Sequence, residues 1–248
     1  MALNKQTGNM FEFVTHTWNP VGGECPHRCP YCYARVTSNR GAPECLVKKY
    51  FGQRPYLEER ELLVNLGEDN SIFVCNMIDL FAEGVDDEAI AEVLSRISHF
   101  PKNTYLLLTK NPNRMWNFEN RIPSGTICGA TIETDEYSDE YLSRFDHSLD
   151  FRHEIPPLPA SRAPYLGLLA DSGFPTMVSI EPIMKFDLEN LVELVARCRP
   201  SFVAIGADSK KANLPEPSQD EVAALIEELK KFTEVRVKSN LSRIYGDD

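Results

Sequence analysis

The chain has 248 residues with a formal net charge of −11, 42% hydrophobic residues and 25% charged residues. That size suits one large α/β domain or two small ones, and the composition is that of an ordinary globular protein. No apolar run reaches the ~18 residues a bilayer span needs and the N-terminus lacks a secretory pattern, so no membrane partner and a cytoplasmic location are expected.

The first apolar run, Phe11–Val14, predicts a strand. It is followed by Thr17-Trp18-Asn19-Pro20 and then by Cys25-Pro26-His27-Arg28-Cys29-Pro30-Tyr31-Cys32, a C-x3-C-x2-C spacing. The other cysteines, Cys45, Cys75, Cys128 and Cys198, are scattered, with no second metal-ligand spacing to suggest an auxiliary cluster. Three thiolates so close together suit an iron–sulfur cubane, which has four irons and would keep one without a protein ligand. A zinc site, with Cys45 or His27 as fourth ligand, is the alternative, although no second short Cys arm is present. From His27 to Arg60 the chain carries seven Arg and Lys residues against three glutamates. This stretch reads either as solvated surface or as a site for an anionic substrate, in a chain whose overall acidity is poorly suited to a polyanion.

An irregular segment, Thr37–Pro55, leads to the next strand at Ile72–Asn76, and Asp86–Ser98 is an amphipathic helix with Ile90, Val93, Leu94 and Ile97 on one face. Strands follow at Thr104–Thr109 and Thr126–Ile132. The stretch Asp146–Pro164 holds four prolines and reads as a long loop. Beyond it come a strand at Thr176–Glu181, a helix at Leu188–Arg197, a strand at Phe202–Gly206, a helix at Ser218–Phe232 opened by a Ser218/Glu221 capping box, and a strand at Val235–Lys238. The strands are continuous apolar runs, as expected for parallel strands covered on both faces. Alternation of strand and helix over 1–248 predicts one α/β domain, as a barrel or as an open doubly wound sheet. Polar residues stand where the apolar runs stop: Asn76 and Asp79, Thr109 and Lys110, Thr131 and Glu133, Ser179 and Glu181, Asp208, Lys238 and Asn240. In parallel α/β folds that edge hosts ligands.

C-x3-C-x-aromatic-C after the first strand of an α/β domain resembles the radical S-adenosylmethionine (radical SAM) superfamily. Ile78-Asp79-Leu80-Phe81, Leu108-Thr109-Lys110-Asn111-Pro112 and Ser179-Ile180-Glu181-Pro182, with the Trp18 motif, extend the resemblance to a phage-associated radical-SAM-like family of unassigned function, distantly similar to spore photoproduct lyase. Gly206-Ala207-Asp208-Ser209 departs from the Gly-Gly-Glu-Ser usual there. The resemblance implies a partial (β/α) barrel of six to seven parallel strands, with a [4Fe-4S] cluster on Cys25, Cys29 and Cys32. It implies that S-adenosylmethionine (SAM) chelates the open iron and is cleaved to a 5′-deoxyadenosyl radical, with electrons from a donor such as flavodoxin or ferredoxin. Tyr31 would lie beside the adenine. Asn76, Met77 and Asp79 would stand where the SAM amino group binds, and Ser179 and Glu181 would hold the ribose or the methionyl end. Thr109, Lys110 and Glu133 complete the candidate cofactor residues. Lys110 and Lys238 would bind an anionic group or form buried ion pairs with Glu133 or Glu181. Cys75 and Cys128 read as core residues, or as thiols able to return a hydrogen atom. The expected substrate is a nucleotide or nucleic acid. A small molecule or a partner protein is the alternative, and a non-catalytic iron–sulfur or zinc protein is the reading outside enzymes.

Overall fold

The structure, a computed structural model, describes residues 3–6, 10–35, 43–144 and 155–246. Its centre is an eight-stranded sheet ordered β1 (Asn4–Lys5), β2 (His16–Trp18), β5 (Ser71–Val74), β6 (Thr104–Thr109), β7 (Ile127–Thr131), β8 (Thr176–Ile180), β9 (Phe202–Ile205) and β10 (Glu234–Val237). The strands from β2 to β10 are parallel, and only β1 runs antiparallel, on the β2 edge. A small hairpin pairs β3 (Val21–Gly22) with β4 (Tyr56–Leu57).

The parallel strands follow one another in chain order, without the reversal of a doubly wound sheet. The architecture is therefore α/β with a mostly parallel sheet wound in one direction, left open rather than closed into a barrel.

Strand alternation divides the side chains between two apolar layers. Ile72, Val74, Tyr105, Leu107, Cys128, Ala130, Val178, Ile180, Val203 and Ile205 pack with Ile90, Leu94, Leu166, Leu191 and Leu225 from the helices Asp87–Ser98, Pro159–Asp171, Leu188–Cys198 and Gln219–Leu229. The opposite face carries Phe73, Leu106, Met177, Phe202 and Ala204, covered by Phe11 and Val14. Along several strands this inner face turns from apolar to polar toward the C-terminal end, as in Leu106-Leu108-Lys110 and Met177-Ser179-Glu181. Polar groups are thereby gathered above an apolar floor. Gly129 keeps that floor close-packed, because a Cβ there would stand 2.9 Å from Leu108 Cδ1 and 3.0 Å from Met177 Cγ.

Three expectations need correction. Phe11–Val14 is not a strand but a plug across the inner face, and the strand before the cysteines is His16–Trp18. An apolar run of four residues packs as readily in either form. Thr37–Pro55 contains a helix, Glu44–Tyr50, with an acid in its first turn, Lys48 and Lys49 in its last and Tyr50 buried. Asp146–Pro164 is not one loop: its first part lies outside the described residues, and its end belongs to the helix Pro159–Asp171, where Pro159 suits the first turn. Pro164 sits inside that helix, which is held by buried Ala163, Leu166 and Leu169. Among the described residues no helix is long and apolar enough to cross a membrane.

Candidate active site

The cysteine loop is held from both sides. Upstream, Gly23 adopts φ +95 where a Cβ would strike the Arg54 carbonyl, its N–H donates to Lys49 O (2.7 Å), and Glu24 N–H donates to Gln53 O (2.9 Å). Within the loop Arg28 N–H donates to Cys25 O (3.3 Å) and Cys32 N–H to Cys29 O (3.0 Å), while buried Arg28 and Glu24 pair at 3.0 Å. Three of the seven basic residues of the stretch are thus paired locally, since Lys48 also pairs with Glu44 and Lys49 with Glu61. Trp18 and Asn19 act as struts. The Trp18 indole donates to Glu61 O (3.1 Å), and Asn19 both donates to Asn76 Oδ1 (2.8 Å) and accepts from Met77 N–H (3.2 Å).

A cavity of about 460 Å³ opens at the C-terminal ends of the strands, within the range of small-ligand sites. Its lining includes Cys25, Cys29, Cys32, Tyr31, Asn76, Met77, Asp79, Thr109, Lys110, Ser179 and Glu181, which is every predicted site residue except Glu133. Thr131, Asp208, Lys238, His27, Tyr33 and Cys75 join them.

Most charged groups in this cavity already have partners. Burial works to raise the Asp79 carboxyl, but contacts with His27, Lys110 N–H and Thr109 Oγ1 outweigh it and hold the carboxyl below its ordinary range. The distances are 3.2 Å from His27 Nε2, 2.8 Å from Lys110 N and 2.7 Å from Thr109 Oγ1. Asp79 therefore ties the cysteine loop to the end of β6. Glu181 accepts from Lys238 Nζ (2.6 Å) and Asn240 Nδ2 (2.9 Å). Asp208 accepts from Lys210 N–H (2.8 Å) and from Ala212 N–H, so its carboxylate shapes its own loop.

Glu133 stands behind the lining, completely buried. Its Oε1 accepts from Tyr31 OH (2.6 Å), Tyr137 OH (2.7 Å) and Lys110 Nζ (3.1 Å), and its Oε2 from Arg162 Nη1 (2.7 Å). Burial alone would raise this carboxyl, and the two cations and two phenols push it far below its ordinary range instead. Of the two readings left open for Lys110 and Lys238, the structure shows the ion pairs. Arg162 is not legible as a site residue because its partners are remote in sequence, and Tyr137, four residues from Glu133, because no motif marks it.

The three clustered cysteines are free thiols. Burial pushes Cys29 up to about 12, Lys110 acting in the opposite direction and Cys32 adding to it, and Cys25 lies higher still, again chiefly through burial. Soft thiols on the lining of one cavity are the donor type iron–sulfur clusters use. His27 Nδ1, buried in the same loop, has no hydrogen-bond partner among the described residues. Among those residues no three His, Cys, Asp or Glu side chains gather as the ligands of a metal ion. Cys45 is exposed on its helix, away from the cavity lining. Cys128 is core, whereas Cys75 is buried yet borders the cavity.

Lining hydroxyls on two adjacent strands are uncommitted. Thr131 and Ser179 are register partners on β7 and β8, and neither hydroxyl hydrogen-bonds another described residue.

The fold is similar to that of spore photoproduct lyase, of the radical SAM type. Against a cysteine-to-serine variant of that enzyme the TM-score is 0.57 at 12% identity, covering 95% of this chain and 80% of the other. A cysteine-to-alanine variant with dinucleoside spore photoproduct gives 0.57 at 11%, with the same coverage. A double variant with bound AdoMet and dinucleoside spore photoproduct gives 0.50 at 12%, covering 93% of this chain and 66% of that one. At such identities the likeness is one of fold. No curated protein matches the chain. The family described as "Protein of unknown function (DUF5131)" matches residues 8–151, more than half of the sequence, and the chain belongs to that family.

Proposed function

We propose that this protein is a radical SAM enzyme, with Cys25, Cys29 and Cys32 holding a [4Fe-4S] cluster and the adjoining cavity taking SAM and a substrate. The observation that carries the reading is the placement of three free thiols, and no fourth cysteine of the same loop, on the wall of a cavity at the C-terminal edge of a parallel sheet. When bound, such a cluster supplies the electron that splits the sulfonium of SAM into methionine and a 5′-deoxyadenosyl radical able to take a hydrogen atom from the substrate.

The residues of the chain divide the remaining work. Asp79 and Asn19 hold the cysteine loop against the strand ends, and Glu24 ties it to the Gly52–Gln53 segment. Asn76 and Met77, at the end of β5, face the place assigned to the amino group of SAM. Ser179 and Thr131 offer hydroxyls suited to a ribose diol, and Glu181 is fixed by Lys238 rather than left as a free charge. Tyr31, pinned through its hydroxyl, presents its ring to the cavity beside the adenine position. The apolar plug of Phe11 and Val14 closes the floor and keeps bulk water from the reacting end.

For the substrate, a nucleotide or nucleic acid component is favoured by the similar structures that hold a dinucleoside. A flavodoxin- or ferredoxin-type protein would serve as electron donor. The test is anaerobic incubation of the reconstituted, dithionite-reduced protein with SAM. 5′-Deoxyadenosine is expected from the wild type and none from Cys29→Ala. Equal product from both would remove that thiolate from the site, and none from a protein with a full complement of cluster would defeat the proposal.

A further inference from the structure

Behind Cys29 lies a buried charge triad that the proposed reaction does not use directly. Arg162 and Glu133 are both 0% exposed and Lys110 is 9% exposed, and the arginine and lysine converge on the single carboxylate. Two cations against one anion leave one net positive charge. Arg162 is held from several directions, donating also to Thr131 O (2.6 Å), Pro157 O (2.6 Å) and Tyr137 OH. Lys110 is held by Glu133 and lies 5.1 Å from the Tyr31 ring centre. Tyr31, between Cys29 and Cys32 in sequence, donates its hydroxyl to the same carboxylate. Cys29 itself packs with Tyr137 and Tyr141.

The triad is thus joined to the cysteine loop through Tyr31 and is buried against the rings of Tyr31 and Tyr137. Charges in such a medium act more strongly than on a surface. Lys110 and Cys29 also line the same cavity, so the triad reaches the wall that carries that sulfur.

We propose that the Lys110–Glu133–Arg162 triad is an electrostatic positioning element that raises the reduction potential of the cluster held on Cys29 and its two neighbours. The proposal rests on the cluster reading above. Reduction adds one electron, and so one negative charge, to the cluster. A fixed net positive charge nearby favours the reduced form, and hydrogen bonds and charge around a cluster are established levers on its potential.

The sign of the effect separates this role from simple support of the fold. Arg162→Gln leaves the triad neutral and is expected to make the potential more negative. Glu133→Gln leaves two positive charges and is expected to make it more positive. A purely structural element would give shifts of the same sign, or none, when either partner is lost. The experiment is spectroelectrochemical titration of the anaerobically reconstituted wild type and both variants, with iron content and circular dichroism recorded on the same samples. Opposite shifts in folded, iron-loaded variants are the expected result. Equal or same-sign shifts would overturn the proposal and leave the cluster reading intact. A wild type that binds no iron–sulfur cluster would overturn the cluster reading and the proposal with it. Should Arg162→Gln not fold, Lys110→Met removes a cation at the cavity edge. A more negative potential there supports the proposal, and an unchanged or more positive one contradicts it.

Discussion

Thr131 and Ser179 face each other across β7 and β8, and both line the cavity with hydroxyls that no other described residue engages. In a cavity whose charged groups are mostly tied to one another, uncommitted hydroxyls are the groups ready to receive a ligand. Ser179→Ala and Thr131→Val are each expected to cost about 1 kcal/mol of SAM binding, roughly a fivefold rise in Kd, without loss of iron. Calorimetric titration of the reconstituted variants checks this. Unchanged Kd in both would move the ribose elsewhere.

Glu133 predicts a distinct acid response. Its folded-state pKa is depressed below the unfolded value, so the stability it contributes is fully present above the unfolded pKa, about 4.3, and is lost as pH falls from there toward the depressed value. Urea unfolding of wild type and Glu133→Gln is expected to show its largest stability gap near neutral pH, narrowing steadily below about pH 4.3. Removing one partner of a buried ion pair typically costs about 3–5 kcal/mol, which sets the scale of that gap. A gap independent of pH would show that the charge of Glu133 contributes nothing.

Gly206 is needed for the Glu181 arrangement. A Cβ there would stand 2.7 Å from Glu181 Oε1 and 2.9 Å from Asn240 Oδ1. Gly206→Ala is therefore expected to displace the Glu181–Lys238 pair and to destabilise the fold by roughly 1–3 kcal/mol. Thermal unfolding measures it, and a melting temperature equal to wild type would mean the carboxylate moves aside freely.

Asn19 carries the link between the segment before the cysteines and the end of β5. Asn19→Ala deletes the bonds to Asn76 and Met77, for an expected loss of roughly 1–3 kcal/mol and weaker SAM binding. A change in urea-unfolding stability within about 0.5 kcal/mol would show that these two bonds contribute little.

The central parallel strands were legible because they are buried on both faces. Thr104–Thr109 reads as a strand from its composition and is one, and the Ser218/Glu221 capping box marks the helix start where the structure has it. The strand-end rule likewise gathered residues as distant as Asn76 and Glu181 into one cavity, since that edge is a property of topology rather than of local sequence. What sequence could not convey is tertiary. Phe11–Val14 has strand composition, yet it fills the inner face of the sheet. Arg162 lies in a proline-rich stretch whose helix is stabilised by contacts with other parts of the chain. Its pairing with Glu133 across 29 positions follows no spacing rule. Glu133, a candidate cofactor residue by its strand-end position and equally a candidate ion-pair partner, stands behind the cavity lining in the pair with Lys110.

The central claim is that Cys25, Cys29 and Cys32 hold a cubane cluster with one iron open to SAM. Iron, sulfide and zinc counted per chain on anaerobically purified and reconstituted protein test it most directly. About four irons and four sulfides per chain, falling sharply in Cys29→Ala, are predicted. One zinc per chain, with iron and sulfide absent after reconstitution, would contradict it.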